Sequence, residues 1–140
     1  MNQIRIVLAD DHTVIRSGLK LLLERQPDLI VAGEAENGRE AVEAAERLRP
    51  AVMVLDIAMP MLNGIEATRQ IVSAHPSISV VILSMHSDEG YVMRALNAGA
   101  KAYLLKDSAE ADLIRAVRAV NEGKSFFSPA VSRVLLEDYV

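Results

Sequence analysis

The 140-residue chain has no cysteine. That excludes a disulfide framework and thiol chemistry, and it agrees with a cytoplasmic setting. No apolar run approaches the roughly 18 residues needed to cross a bilayer, so neither a membrane span nor a membrane partner is expected. The first residues, MNQIRIVLADD, lack a basic region, a long apolar stretch and a small-residue cleavage site. They do not read as a secretory signal. Positive charge is not in excess either: 15 Lys and Arg stand against 19 Asp and Glu, a net charge of −4. A nucleic-acid surface usually carries a basic excess, so this stretch is not expected to hold DNA by itself.

What is present is largely apolar. Hydrophobic residues make up 51% of the chain and charged residues 24%. That is enough for a core without metal or disulfide support, and disorder is not expected. Apolar runs alternate with amphipathic ones. Ile4–Ala9 (IRIVLA) is short, β-branched and apolar, as in a strand buried on both faces. Thr13–Arg25 sets Val14, Ile15, Gly18, Leu19, Leu22 and Leu23 on one expected helical face, and Pro27-Asp28 ends it. Leu29–Ala35 reads as a strand, Asn37-Gly38 as a turn and Arg39–Leu48 as a helix whose Arg and Glu residues face solvent. Val52–Leu55 is a third strand. Pro60 and Gly64 bracket a loop, and a helix runs to about Ala74, with His75 as its surface end. Ile78–Leu83 is a fourth strand. Asp88–Ala98 is a helix closed by Gly99. Lys101–Leu105 is a fifth strand, and Ser108 caps a helix to Val120.

Five βα units predict an α/β fold: a five-stranded parallel sheet with helices on both faces and right-handed crossovers. After Gly123 come Phe126 and Phe127, then Ser128-Pro129 and an amphipathic stretch, Ala130–Tyr139. It is expected to be a sixth helix that adds no strand, with the two phenylalanines packed against it.

In such a sheet, ligands gather at the C-terminal ends of the strands. Asp10 and Asp11 follow strand one, Asp56 ends strand three, Ser84 ends strand four and Lys106 ends strand five. Five polar residues from four strands thus meet at one edge. Three carboxylates close together repel, and a hard cation such as Mg²⁺, which prefers oxygen ligands, relieves that. A carboxylate can attack phosphorus to form an aspartyl phosphate. Lys106 can aim a charge at the transferred group, and the Ser84 hydroxyl can donate a hydrogen bond to it. Taken singly, each has a plainer reading. The acidic pair could cap a helix, Lys106 could be a solvated charge, Ser84 a turn residue and Tyr103 a half-buried strand aromatic. Gly64 and Pro60 read as turn residues, the methionines as fillers, and His12, His75 and His86 show no metal-ligand spacing.

LADDH at 8–12, VLDIAMPMLNG at 54–64, ILSMH at 82–86 and AYLLKD at 102–107 resemble the four signatures of response regulator receiver domains, in order and at suitable spacing. The likeness covers residues 4–122. It implies a flavodoxin-like (βα)5 fold of strand order 2-1-3-4-5 with an extra C-terminal helix. It makes Asp56 the phosphate acceptor, and gives Mg²⁺ to Asp10, Asp11, Asp56 and the Ala58 carbonyl, with Asp11 the more direct ligand. Lys106 would contact the phosphate, Ser84 would move toward it, and Tyr103 would turn inward behind it as a switch. The donor would be a phosphohistidine on a sensor histidine kinase. DDHTVIRSGL, the KD after strand five and the GKSFFSP tail resemble the NarL/FixJ branch, whose members usually carry a LuxR-type helix-turn-helix. Residues 1–122 would then be the receiver. Residues 123–140 would be the linker and helix leading to a DNA-binding domain outside these 140 residues, through which transcription would be regulated. The resemblance makes residues 88–120 the output face, and dimerisation on phosphorylation is expected.

The chain departs from the family pattern at Asp107, where many members have proline after a cis bond. A cis bond before a non-proline residue costs about 2.5–4 kcal/mol. Ala58 and His86, each two residues beyond a site residue, occupy positions that the resemblance connects with phosphate lifetime. An aspartate-nucleophile phosphohydrolase would usually carry a second Asp at position 58, where this chain has Ala58. A dinucleotide enzyme would need G-x-G-x-x-G in the first βα turn, which here is ADDHTVIRSG. A receiver-like module that works without phosphate would be expected to lack some of the five site residues, and all are present. The expectation is therefore a signalling switch, catalytic only toward its own phosphotransfer and dephosphorylation.

Overall fold

A computed structural model describes residues 3–139. The strands are β1 (Ile4–Ala9), β2 (Leu29–Ala35), β3 (Val52–Asp56), β4 (Ser79–Ser84), β5 (Ala102–Leu105) and β6 (Phe126–Phe127). The helices are α1 (Thr13–Glu24), α2 (Gly38–Leu48), α3 (Gly64–Ala74), α4 (Glu89–Ala98), α5 (Ala109–Asn121) and α6 (Pro129–Tyr139), with a 3₁₀ turn at Lys106–Ser108. The sheet is parallel, in the order β2-β1-β3-β4-β5-β6. None of these helices is long and apolar enough to cross a membrane.

Alternation along each strand divides the interior into two cores. Val7, Met53, Leu55, Ile82 and Tyr103 point to the face covered by α2, α3, α4 and α6. Ile6, Leu8, Val54, Val81 and Leu104 point to the face covered by α1 and α5. Both faces are apolar, as a parallel sheet wrapped by crossovers requires. Asn37 and Asn63 cap α2 and α3 by accepting hydrogen bonds from the Glu40 and Glu66 amides, each at 2.9 Å.

The five-stranded core of order 2-1-3-4-5 and the extra helix are as expected, but the tail also adds a strand. Phe126 and Phe127 pair with Ala102 and Tyr103. Two residues are too short to show a period, which is why sequence pattern did not reveal β6. The phenylalanines divide between the cores. Phe127 packs with the cluster holding Val131 and Leu135, whereas Phe126 sits on the other face under the Arg115 guanidinium. Val140 lies outside the described residues.

Other expectations need correction. Helix α1 is rotated from its predicted face. Leu19 and Leu23 are buried, but Val14 is 84% exposed and the buried turn position is taken by Arg16. An arginine can hold that place because its guanidinium donates to Glu34 and to the Asp10 carbonyl there. His75 is not a free surface residue. It is mostly buried, with Nε2 at 2.8 Å from Glu46 Oε2 on α2. Ser108 does not cap α5; its hydroxyl donates to the Leu105 carbonyl. Gly64 is more than a turn residue, because a Cβ there would collide with the Asp56 carbonyl. Among the described residues there is no cis peptide bond, so the Lys106–Asp107 bond is trans.

Candidate functional site

Strand register sets the site. Ala9 pairs with Leu55, so Asp10 and Asp56 follow at the same level. Asp56 pairs with Leu83, which puts Ser84 one residue further along. Ser84 pairs with Leu105, which puts Lys106 next. Four side chains from four strands therefore converge at the C-terminal edge of the sheet. The β3–α3 loop folds back on the site at Gly64, whose amide donates to the Ile57 carbonyl at 2.9 Å.

Lys106 Nζ donates to Asp56 Oδ2 at 2.9 Å and lies 3.3 Å from Asp10 Oδ2. Asp56 Oδ1 accepts the Ala58 amide at 3.2 Å. Asp10 is 2% exposed and Asp56 3%. Despite the nearby ammonium, Asp10 Oδ2 forms no hydrogen bond. A buried carboxylate oxygen without one is costly, and here the Lys106 ammonium offsets its charge. Asp10 Oδ1 accepts the His12 amide at 2.8 Å, so the acidic pair folds a turn before α1 rather than capping it. One ligand atom from each of Asp10, Asp11, His12 and Asp56 lies within 4.8 Å of the others. Such an oxygen-rich set suits a hard divalent cation.

Burial pushes the Asp56 carboxyl above its ordinary pKa, against the opposing hydrogen bond and charge of Lys106. Burial alone would lower Lys106. The hydrogen bond and charge of Asp56, joined by Asp10, outweigh it and hold the ammonium above its usual value. The site therefore keeps a cation beside a carboxylate whose negative charge is poorly solvated.

Asp56, Ala58, Ser84 and Lys106 line one open cavity of about 470 Å³, so Asp56 is buried yet faces room for a phosphoryl group. Ser84 Oγ accepts the His86 amide at 2.9 Å, and its hydroxyl also interacts with that of Tyr103. Tyr103 is fully buried, not half-buried, and its hydroxyl donates to the His86 carbonyl at 2.7 Å. Burial raises its phenol pKa. Its ring already occupies the inward position behind the site.

Two participants escaped sequence reasoning. Arg16 Nη1 donates to the Asp10 carbonyl at 2.6 Å while its Nε donates to Glu34 Oε1 at 2.9 Å, so β2 and α1 together hold the acidic turn. The unusual polar residue among apolar α1 positions was the available signal. His12 shows no metal-ligand spacing in the sequence. Its Nδ1 is nevertheless 3.2 Å from Asp10 Oδ1 and 3.2 Å from Asp11 Oδ1.

The chain matches the response regulator receiver domain over residues 6–118. It therefore belongs to the response regulator receiver family, a class of signalling domains. Relatives named DegU, NreC and NarL are consistent with the NarL/FixJ branch. Over 138 residues it is 41% identical to the transcriptional regulatory protein DegU of Brevibacillus brevis, covering 99% of this chain and 58% of that protein. The crystal structure of a LuxR-family two-component response regulator from Aurantimonas sp. SI85-9A1 superposes with a TM-score of 0.94 at 33% identity, with 99% of both chains covered. The isolated receiver domain of RcsB from Salmonella enterica serovar Typhimurium, in the presence of the phosphomimetic BeF3⁻, gives 0.86 at 29% identity, covering 95% of this chain and 99% of that one. The chain spans about six tenths of the length of the curated relatives it matches.

Proposed function

We propose that this chain is a phosphorylation-controlled switch in which Asp56 accepts a phosphoryl group from a phosphohistidine on a sensor histidine kinase. The observation that carries this reading is the pairing of Asp56 with Lys106 at 2.9 Å, beside a buried Asp10 oxygen that lacks a hydrogen bond, at the wall of an open cavity. In the transfer, an Asp56 oxygen bonds to phosphorus as the phosphorus–nitrogen bond to the imidazole breaks, and the nitrogen keeps the electron pair.

Asp10, Asp11, Asp56 and the Ala58 carbonyl hold Mg²⁺, with Asp11 the more direct ligand. The bound ion supplies positive charge that offsets three carboxylates and the incoming phosphate. Lys106 exchanges part of its contact with Asp56 for a phosphate oxygen. Ser84 turns its hydroxyl proton to another, drawing on the strand end and the His86 backbone. Tyr103 reads that movement because its hydroxyl is tied to the same residue, His86. Phosphate then shifts a pre-existing equilibrium toward the active form rather than creating a new one.

Residues 1–122 form the receiver, and residues 123–140 lead to a LuxR-type helix-turn-helix domain outside this chain, through which the protein contacts DNA and regulates transcription. Activation brings two copies together through α4, β5 and α5. The protein works in the cytoplasm and catalyses only its own phosphotransfer and dephosphorylation. The names of the transcriptional relatives and the RcsB receiver with its phosphomimetic support this reading.

Titration calorimetry with beryllofluoride tests it. Binding is expected with Mg²⁺ present, and is expected to vanish with EDTA and in Asp56→Asn. Binding that survives in Asp56→Asn would contradict the assignment of the acceptor.

A further inference from the structure

We propose that His12 is a nitrogen ligand of the divalent-ion site, so that the site takes a transition-metal ion such as Mn²⁺ more tightly than Mg²⁺. This rests on the metal-site reading above and extends it to the class of ion bound. Backbone geometry turns the ring inward. His12 stands at the N-cap of α1 in an extended conformation (φ −96, ψ 106), and its amide is held by Asp10 Oδ1. That turn returns Nδ1 to 3.2 Å from one oxygen of Asp10 and 3.2 Å from one of Asp11. The ring caps no helix amide, although its position would allow it. Its donor atom belongs to the same 4.8 Å group as those of Asp10, Asp11 and Asp56. A second observation is independent of the histidine. Asp10, nine-tenths buried and more, keeps Oδ2 without a hydrogen bond, and the ammonium of Lys106 at 3.3 Å is one positive charge set against the carboxylates of Asp10, Asp11 and Asp56.

The donor chemistry sets the selectivity. Three carboxylates alone would suit Mg²⁺, which is hard and oxygen-seeking. Imidazole is a borderline ligand that first-row transition ions accept more readily than Mg²⁺ does, with Mn²⁺ the weakest of that series. Replacing one water by the ring therefore strengthens transition-metal binding and adds little for Mg²⁺. The alternative role is a simple hydrogen bond from ring to carboxylate, and it makes no nitrogen–metal bond.

The test uses the 140-residue protein loaded with Mn²⁺. Pulsed electron paramagnetic resonance should show coupling to a directly bound imidazole ¹⁴N, lost in both His12→Ala and His12→Asn. Calorimetry should show the Mn²⁺ Kd weakened about tenfold in His12→Ala, with the Mg²⁺ Kd changed by less than about twofold. The ring is 60% exposed, so neither substitution opens the core. Bound Mn²⁺ without nitrogen coupling would overturn the proposal and leave the carboxylate site standing. Equal weakening of both ions would overturn the selectivity. Failure of either ion to bind the unaltered protein would overturn the metal site itself, and this inference with it.

Discussion

Two ion pairs of nearly equal length sit at opposite ends of the sheet and behave in opposite ways. At the C-terminal edge, Lys106 donates to Asp56 at 2.9 Å. At the other end, Arg118 on α5 holds Asp28, which precedes β2, through bonds of 3.0 and 2.9 Å, and also donates to Gln26. The side chains of Lys106 and Asp56 are 14% and 4% exposed, against 42% and 36% for Arg118 and Asp28. The forked hydrogen bonds of Arg118 lower the Asp28 pKa despite some burial. At Asp56, burial outweighs the lysine and the pKa rises. Bond length alone thus says little about what a pair contributes. The outer pair fastens a helix to a strand. The inner pair keeps charge where it is unfavourable, as a site prepared for another charged group would.

The inner pair should dominate function. Lys106→Met removes the cation aimed at the transferred group. We expect the rate of phosphoryl acceptance from acetyl phosphate to fall about 100-fold, measured by intact mass against time. Arg118→Ala should leave that rate unchanged. Similar losses in both variants would erase the distinction between the two ends.

Stability should move the other way. A carboxyl whose folded pKa is raised favours folding fully below its unfolded value of 3.8, and that contribution is lost as pH rises through the folded pKa. Without divalent ions, Asp56→Asn should therefore raise the melting temperature at pH 7 by a few degrees. The gain should fade as the pH approaches 3.8. A loss of stability at pH 7 would mean that Lys106 overcomes the burial.

The smallest effect is expected at the outer pair. A carboxyl with a lowered folded pKa stabilises above its unfolded value of 3.8, and that is lost as pH falls through the folded pKa. Asp28→Asn should slightly lower the melting temperature at pH 6, and the difference should fade as the pH falls below 3.8 and through the lower folded pKa. A constant difference down to lower pH would point to packing rather than charge.

The same contrast explains what could be read from the chain alone. Asp10, Asp11, Asp56, Ser84 and Lys106 were legible because a parallel sheet sends every strand end to one edge, and each residue directly follows or closes an apolar run. Tertiary partners were not. Arg16 occupies an apolar helix position because Glu34 and the Asp10 carbonyl, both distant on or beside the sheet, satisfy its guanidinium. His75 depends on Glu46 of another helix, and β6 depends on β5 offering a free edge to two residues. The need for glycine at position 64 arises from the approach of α3 to the Asp56 carbonyl, which no local pattern encodes.

The central claim is that Asp56 accepts phosphate with help from a divalent ion held by its acidic neighbours. Intact-mass measurement after incubation with Mg²⁺ and acetyl phosphate addresses it most directly. One phosphate adduct is predicted, absent in Asp56→Asn and strongly reduced by EDTA. An adduct of equal yield in Asp56→Asn, or one indifferent to removal of the ion, would contradict it.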